Sequence, residues 1–330
     1  MTNTQQLTQG KNTVQVVGVL AKNNLKQGTV KQGKNKGKKY INGSIEVKVS
    51  DHESHTLNFF EMETFNSGAK NNAYNNLLVT LQGHNISIAD IASGDAPEGA
   101  KPTVVRVSGG QLESNDYYST KINQLKSEPQ VTGRYISQVK PKMDGTMEKF
   151  GSRFQVEGVI DKIQELEETD GSMYVRLLVL NFDFRGNVVP LELTVRGTGA
   201  EFVAGNATKG DAFAFHGELR NVFERKEEVV EMDGGFGEPT VKVSQIFIRE
   251  WLVKGGKPLT SGHNYDNTEL IEKAKAEREK YLASLEEKAK ATKPTPKADN
   301  NLFSEPEDNK KEVEAGGLDM SDMESLFGDM

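Results

Sequence analysis

The sequence predicts an all-β protein made of two related five-stranded halves, followed by a helix and a tail. Three observations predict it. From Thr13 to Val253, short runs rich in Val, Ile, Leu, Phe and Tyr are punctuated by Gly, Asn and Asp. Val16-Val17-Gly18-Val19-Leu20-Ala21-Lys22 is echoed by Val156-Glu157-Gly158-Val159-Ile160-Asp161-Lys162, and Gly110-Gln111-Leu112 by Gly217-Glu218-Leu219. Beyond Val253 the strand-like runs give way to a helical pattern, and then to a stretch with too little apolar surface to fold.

The first half offers strands at Val14 to Ala21, Tyr40 to Val49, Thr56 to Phe65 and Thr103 to Val107, with a short helix within Ala69 to Leu81. The second offers Phe154 to Ile163, Met173 to Phe184, Val188 to Val195, Ala212 to Leu219 and Val243 to Val253, with a helix at Thr198 to Gly205. Five strands with a helix after the third is the layout of the OB-fold, a small Greek-key barrel that commonly binds oligonucleotides. Gly18 and Gly158 would let each long first strand bend and serve both sides of its barrel. The alternative is an unrelated pair of β-sandwiches. Leu270 to Lys290 reads as a helix with Asn267 or Thr268 as cap and Glu-to-Lys pairs four residues apart. The expected division is a flexible 1–12, barrels at 13–150 and 151–255, a helical extension at 256–292, and a disordered linker with an acidic tip at 293–330.

The 330 residues suffice for about two domains. Cysteine is absent, which excludes disulfides and thiolate metal sites. Met1 to Gly10 is polar, and no run of about 18 apolar residues exists, so a soluble, cytoplasmic protein without membrane contact is expected. Net charge is −7, but the sign changes along the chain. Residues 1–150 hold 18 Lys and Arg against 13 Asp and Glu, residues 151–254 hold 12 against 18, and residues 255–330 hold 11 against 17. A basic binding module followed by acidic segments has this pattern.

The strongest local signal is a lysine-rich loop between the first two expected strands. Lys22, Lys26, Lys31, Lys34, Lys36, Lys38 and Lys39 fall in eighteen residues without an acid, interleaved with Gly28, Gly33 and Gly37. Lysines on a flexible loop can follow an irregular phosphate backbone, each contact releasing counterion; a merely solvated loop is the plainer account. Alternation places Tyr40 and Lys48 on the polar face of the second strand and Phe60 on that of the third. There the two aromatics would either stack on bases or pack against a neighbouring loop. Arg106 lies on a polar face, and Tyr117-Tyr118 in the connection between the fourth and fifth strands, the other loop that OB barrels use. The counterpart of the lysine loop, Glu165 to Gly171, is acidic, so the second barrel is expected to contribute less; Arg176, Arg185, Arg196 and Trp251 could extend the groove, although Trp251 reads as core.

The last fifteen residues carry Asp319, Asp322, Glu324 and Asp329 among Leu318, Met320, Met323, Leu326 and Phe327. Such a segment either docks in a basic-rimmed apolar pocket or serves only solubility. Barrel, linker and acidic-apolar tip, in that order, resemble the single-strand DNA-binding proteins of bacteria and their phages. The resemblance implies binding and protection of exposed strands in a bacterial or phage-infected cell, with the tip recruiting replication, recombination and repair proteins, and it is compatible with a homo-oligomer. Two departures stand against it: those proteins usually carry one barrel per chain, and their tip ends in a Pro-Phe absent here. A phage or mobile-element version with two barrels fits best, and a scaffold whose barrels bind only proteins is the alternative.

No cofactor, metal or catalytic set is expected. Gly28 to Lys34 fits G-x-x-x-x-G-K, but Asn35 replaces the Ser or Thr that would hold magnesium and a strand follows. His52-Glu53-Ser54-His55 is one residue short of a zinc helix motif, and the acids around Asp161 to Asp170 read as a solvated turn.

Overall fold

Alternation sets the core. In the computed structural model, which describes residues 7–168, 171–230, 240–260 and 263–291, β1 (Asn12–Asn23) buries Val14, Val16 and Leu20 while β3 (Lys39–Lys48) buries Ile41, Ile45 and Val47. Leu57 and Phe59 of β4 (Ser54–Met62) and Val105 and Val107 of β5 (Val104–Gly110) fill the same space. β1, β3 and β4 form an antiparallel meander, β5 lies on the other side of β1, and β8 (Tyr135–Gln138) pairs with β5. The ring closes by a parallel bridge between Asn58 and Thr132, where Gly133 N donates to Asn58 O at 2.8 Å.

The second ring repeats this order. β9 (Gly151–Glu167), β10 (Met173–Phe182) and β11 (Val188–Arg196) form the meander, and β12 (Ala212–Val230) lies on the far side of β9. β13 (Thr240–Pro258) pairs antiparallel with β12 and parallel with β11, closing the ring. Both rings therefore have OB-fold strand order, as the sequence predicts. α1 (Asn72–Leu81) and α3 (Thr198–Asn206) follow the third strand of each.

The repeated glycines do what their position suggests. β1 pairs with β5 up to Val19 and with β3 from Val19 on, so it turns from one neighbour to the other around Gly18. A Cβ on Gly18 would stand 2.3 Å from Lys48 O, and one on Gly158 2.5 Å from Leu180 O. Neither site has room for a side chain.

The two rings are joined by an antiparallel ladder between β1 and β9, and the ladder is self-symmetric. Under the alignment that sets Val16 on Val156, Val14 corresponds to Phe154, and these two pair with each other. Asn12 pairs with Val156, while Val16 pairs with Ser152, the counterpart of Asn12. A local two-fold thus relates the halves, and one hydrophobic core runs through both.

Several elements were not legible. β2 (Lys26–Thr29), the hairpin β6 (Leu112–Ser119) and β7 (Gln124–Val131), β8 and the short helix α2 (Ile88–Ser93) lack a strong apolar period. β12 and β13 each run to 19 residues, well past the barrel. β13 also extends to Pro258, inside the stretch assigned to the helical extension. Residues 7–12, expected to be flexible, are packed: Leu7 is buried beside Phe182, Val188 and Tyr265, and Gly10 N donates to Phe182 O at 3.0 Å. One apolar residue there suffices to anchor the segment. α4 (Thr268–Ala291) buries Ile271 and Ala274 in that same cluster. The linker and tip at 293–330, including Leu318, Asp319, Met320, Asp322, Met323, Glu324, Leu326 and Phe327, lie outside the described residues. Among the described residues no helix is long and apolar enough to cross a membrane.

Candidate nucleic-acid interface

The lysine-rich segment is a β-hairpin and not an open loop. β2 pairs with the start of β3, Lys26 opposite Asn42, Gly28 opposite Tyr40 and Thr29 opposite Lys39. Backbone bonds close its tip, Val30 N to Lys38 O and Gly37 N to Val30 O, both 2.9 Å, with Gly33 and Gly37 at positive φ. The sequence Lys26-Gln27-Gly28-Thr29 has no period-2 apolar signal; it pairs through its backbone alone. Val30 is buried, Gln27 donates to the Tyr74 hydroxyl on α1, and Lys38 Nζ reaches Phe65 O at 3.5 Å. Anchored so, the hairpin holds Lys26, Lys31, Lys34, Lys36 and Lys39 out in solvent.

Beside it lies an aromatic platform. Tyr40 and Phe60 sit diagonally on β3 and β4, their ring centroids 5.7 Å apart at an interplanar angle of 31°. The Tyr40 ring covers Gly28, where a Cβ would come within 2.4 Å of it. Both aromatic residues are half-buried. Tyr74 is the contributor that sequence reasoning missed, and Gly28, read there only as one of the glycines of the lysine segment, is the seat of the Tyr40 ring.

The remaining expected residues are more scattered. Lys22 pairs with Glu46 at 3.5 Å and Lys48 with Asp51 at 2.9 Å. Arg106 stands on β5, separated from β3 by β1, and is paired with Glu148. Tyr117 and Tyr118 lie on β6 and so on opposite faces of the β6–β7 arm. The Tyr117 hydroxyl donates to Glu128 at 2.8 Å, and that bond to a carboxylate holds its pKa above the ordinary tyrosine value. Tyr118 shares its face with Asp116, which α4 covers: Asp116 takes a 2.8 Å ion pair from Arg278.

In the second ring, the three arginines that the sequence offered as groove residues each have a neighbour. Arg176 pairs with Glu192 at 3.2 Å. Arg196 donates to Glu168 and Glu250 and lies 4.9 Å over the Tyr174 ring; the Glu250 carboxylate chiefly raises its pKa. Arg185 stacks 5.0 Å over Phe184. Trp251 is 8% exposed and belongs to the core. His55, from the incomplete zinc motif, is buried in β4, and Asn35 lies in the hairpin tip, not at the start of a helix.

No curated protein matches the chain. Among solved structures, the wild-type single-stranded DNA-binding protein of Thermus aquaticus aligns at 16% identity and a TM-score of 0.44, over 77% of this chain and 95% of that one. A deletion variant of the same protein aligns at 15% identity and a TM-score of 0.40, over 77% and 97%. Residues 11–288, both rings and most of α4, match the model of the YorF family, and the chain belongs to that family.

Proposed function

We propose that the protein binds single-stranded DNA without acting on it chemically, holding the strand against the β2–β3 hairpin and the Tyr40–Phe60 platform. The observation that supports this best is the meeting of exposed, acid-free lysines with an aromatic pair on the outer face of an OB ladder. Lysine contacts supply affinity through counterion release, and stacking supplies tolerance of sequence, since every base has a π-face. Duplex bases already stack on one another, which favours the single strand. The role we infer is protection of exposed strands during replication, recombination or repair. In the same reading the segment from Gly316 to Met330 recruits the proteins that work on them, its acids and large apolar residues suiting a basic-rimmed groove.

Fluorescence anisotropy of labelled dT oligonucleotides across a salt series tests the reading, with duplex DNA and poly-U as competitors. Salt-sensitive binding that dT wins over both supports it. Absence of binding at low salt overturns it and leaves the barrels as protein-interaction modules.

A further inference from the structure

Each ring sends out a hairpin arm; the two arms share a root and present different residues beyond it. Gly110 and Leu112 at the root of β6 match Gly217 and Leu219 on β12. A Cβ on either glycine would lie about as close to a neighbouring carbonyl, 2.1 Å from Thr132 O and 2.0 Å from Leu252 O. Both leucines are buried, opposite Val131 and Trp251. Going outward along the same face, the first arm presents Ser114 opposite Pro129, then Asp116 opposite Ser127. The second presents Asn221 opposite Arg249, then Phe223 opposite Phe247.

On the first arm, α4 occupies this face. The Asp116 carboxylate, 6% exposed, accepts from Ser114, Ser127 and Arg278 and fixes the helix there. On the second arm Phe223 is 48% and Phe247 65% exposed. Phe223 stands where Asp116 would, so at this position the second arm offers no acceptor for such a strut. Arg249, beside the pair, donates one N–H to Pro129 O at 2.9 Å. A guanidinium has five N–H donors, and Arg249 is exposed, so donors remain for a phosphate. The arm leans on the first ring: Phe223 N donates to His52 O at 2.9 Å and Asn221 Nδ2 to Ser54 O at 2.6 Å. The phenylalanines are thereby fixed at the start of β4, whose far end carries Phe60. Six residues of strand separate Ser54 from Phe60, about 20 Å at roughly 3.3 Å per residue.

We propose that Phe223, Phe247 and Arg249 form a second base-stacking site on the same single strand, which makes the acidic second ring part of the binding surface. This rests on the reading of the lysine hairpin given above. A strand in duplex DNA advances about 3.4 Å per nucleotide and an open single strand more, so 20 Å corresponds to at most about six nucleotides. A short oligonucleotide therefore occupies one site and a long one spans both.

The test uses the full chain with Phe223→Ala/Phe247→Ala, anisotropy with dT4 and dT20, and photocrosslinking of wild type to an iodouracil-substituted dT20 with peptide mapping. The expected result is a loss of roughly tenfold or more on dT20, little change on dT4, and crosslinks at Phe223 or Phe247. Wild-type affinity of the variant for dT20, with Tyr40→Ala/Phe60→Ala weakened, overturns the second site and leaves the hairpin reading intact. So does crosslinking that avoids both phenylalanines, or a change in sedimentation without a change in DNA affinity, which would mark the face as a contact between copies. Failure of wild type to bind either oligonucleotide sinks the underlying reading itself.

Discussion

Gly28→Ala is the sharpest probe of the aromatic platform, because it disturbs Tyr40 without removing it. The added methyl carbon would lie 2.4 to 2.9 Å from the Tyr40 Cζ, hydroxyl and Cε1 atoms, closer than real contacts allow. Those atoms are the free end of a side chain, so the ring swings away while the β2–β3 pairing, made by backbone, stays. Alanine in a strand is itself slightly better than glycine, by roughly 0.5 to 1 kcal/mol, which offsets the local cost. Fold stability should therefore move by less than about 1 kcal/mol, whereas one stacked base, about 1 to 3 kcal/mol, is put at risk. That range corresponds to a roughly 5- to 150-fold weaker dT oligonucleotide. Anisotropy at several salt concentrations, beside a urea unfolding curve, separates the two effects. The salt slope should be unchanged, since no lysine is lost. Wild-type affinity in Gly28→Ala, alongside a weakened Tyr40→Ala, would refute the argument that Gly28 positions the ring; wild-type affinity in both would refute the platform.

Neutralising Lys31, Lys34 and Lys36 together as glutamines should flatten the salt dependence by about 2 log units per log unit of salt, at about 0.7 per phosphate contact; an unchanged slope means these lysines do not touch phosphate. Gly18→Ala and Gly158→Ala each press a methyl onto a strand carbonyl, at 2.3 and 2.5 Å, and should each cost more than about 2 kcal/mol in urea unfolding. Burial holds the His55 imidazole down to about 4, from an ordinary 6.5. The folded state then takes up this proton less readily than the unfolded one, so stability falls as pH drops from about 6.5 to about 4, by about 3 kcal/mol. Comparing urea midpoints of wild type and His55→Leu should reveal that step, and a flat difference across the window refutes it. Asp116→Ala strands the Arg278 cation and should release α4 from the first arm, speeding amide exchange in β6, β7 and the C-terminal half of α4; unchanged protection would show that the ion pair does not hold the helix.

The sequence by itself determined the fold class, the doubling and the basic segment. Period-2 burial of Ile41, Ile45 and Val47 is a local property of the chain, and so is the exclusion of acids from Lys22 to Lys39. Gly18 and Gly158 could be matched because a bend that no side chain tolerates leaves the same residue in both copies. Pairing between distant segments decided the rest. The lysine segment became a hairpin because β3 offered its backbone, and no side-chain period records such an offer. Tyr118 came to lie on a face that α4 covers because Arg278, 160 positions further along the chain, meets Asp116. In the sequence Phe247 falls within the expected strand Val243 to Val253 and Phe223 beyond the expected Ala212 to Leu219, and neither stood out as a surface residue. Only the extension of β12 and β13 beyond the barrel carries their inward face past the point where there is any core left to bury it.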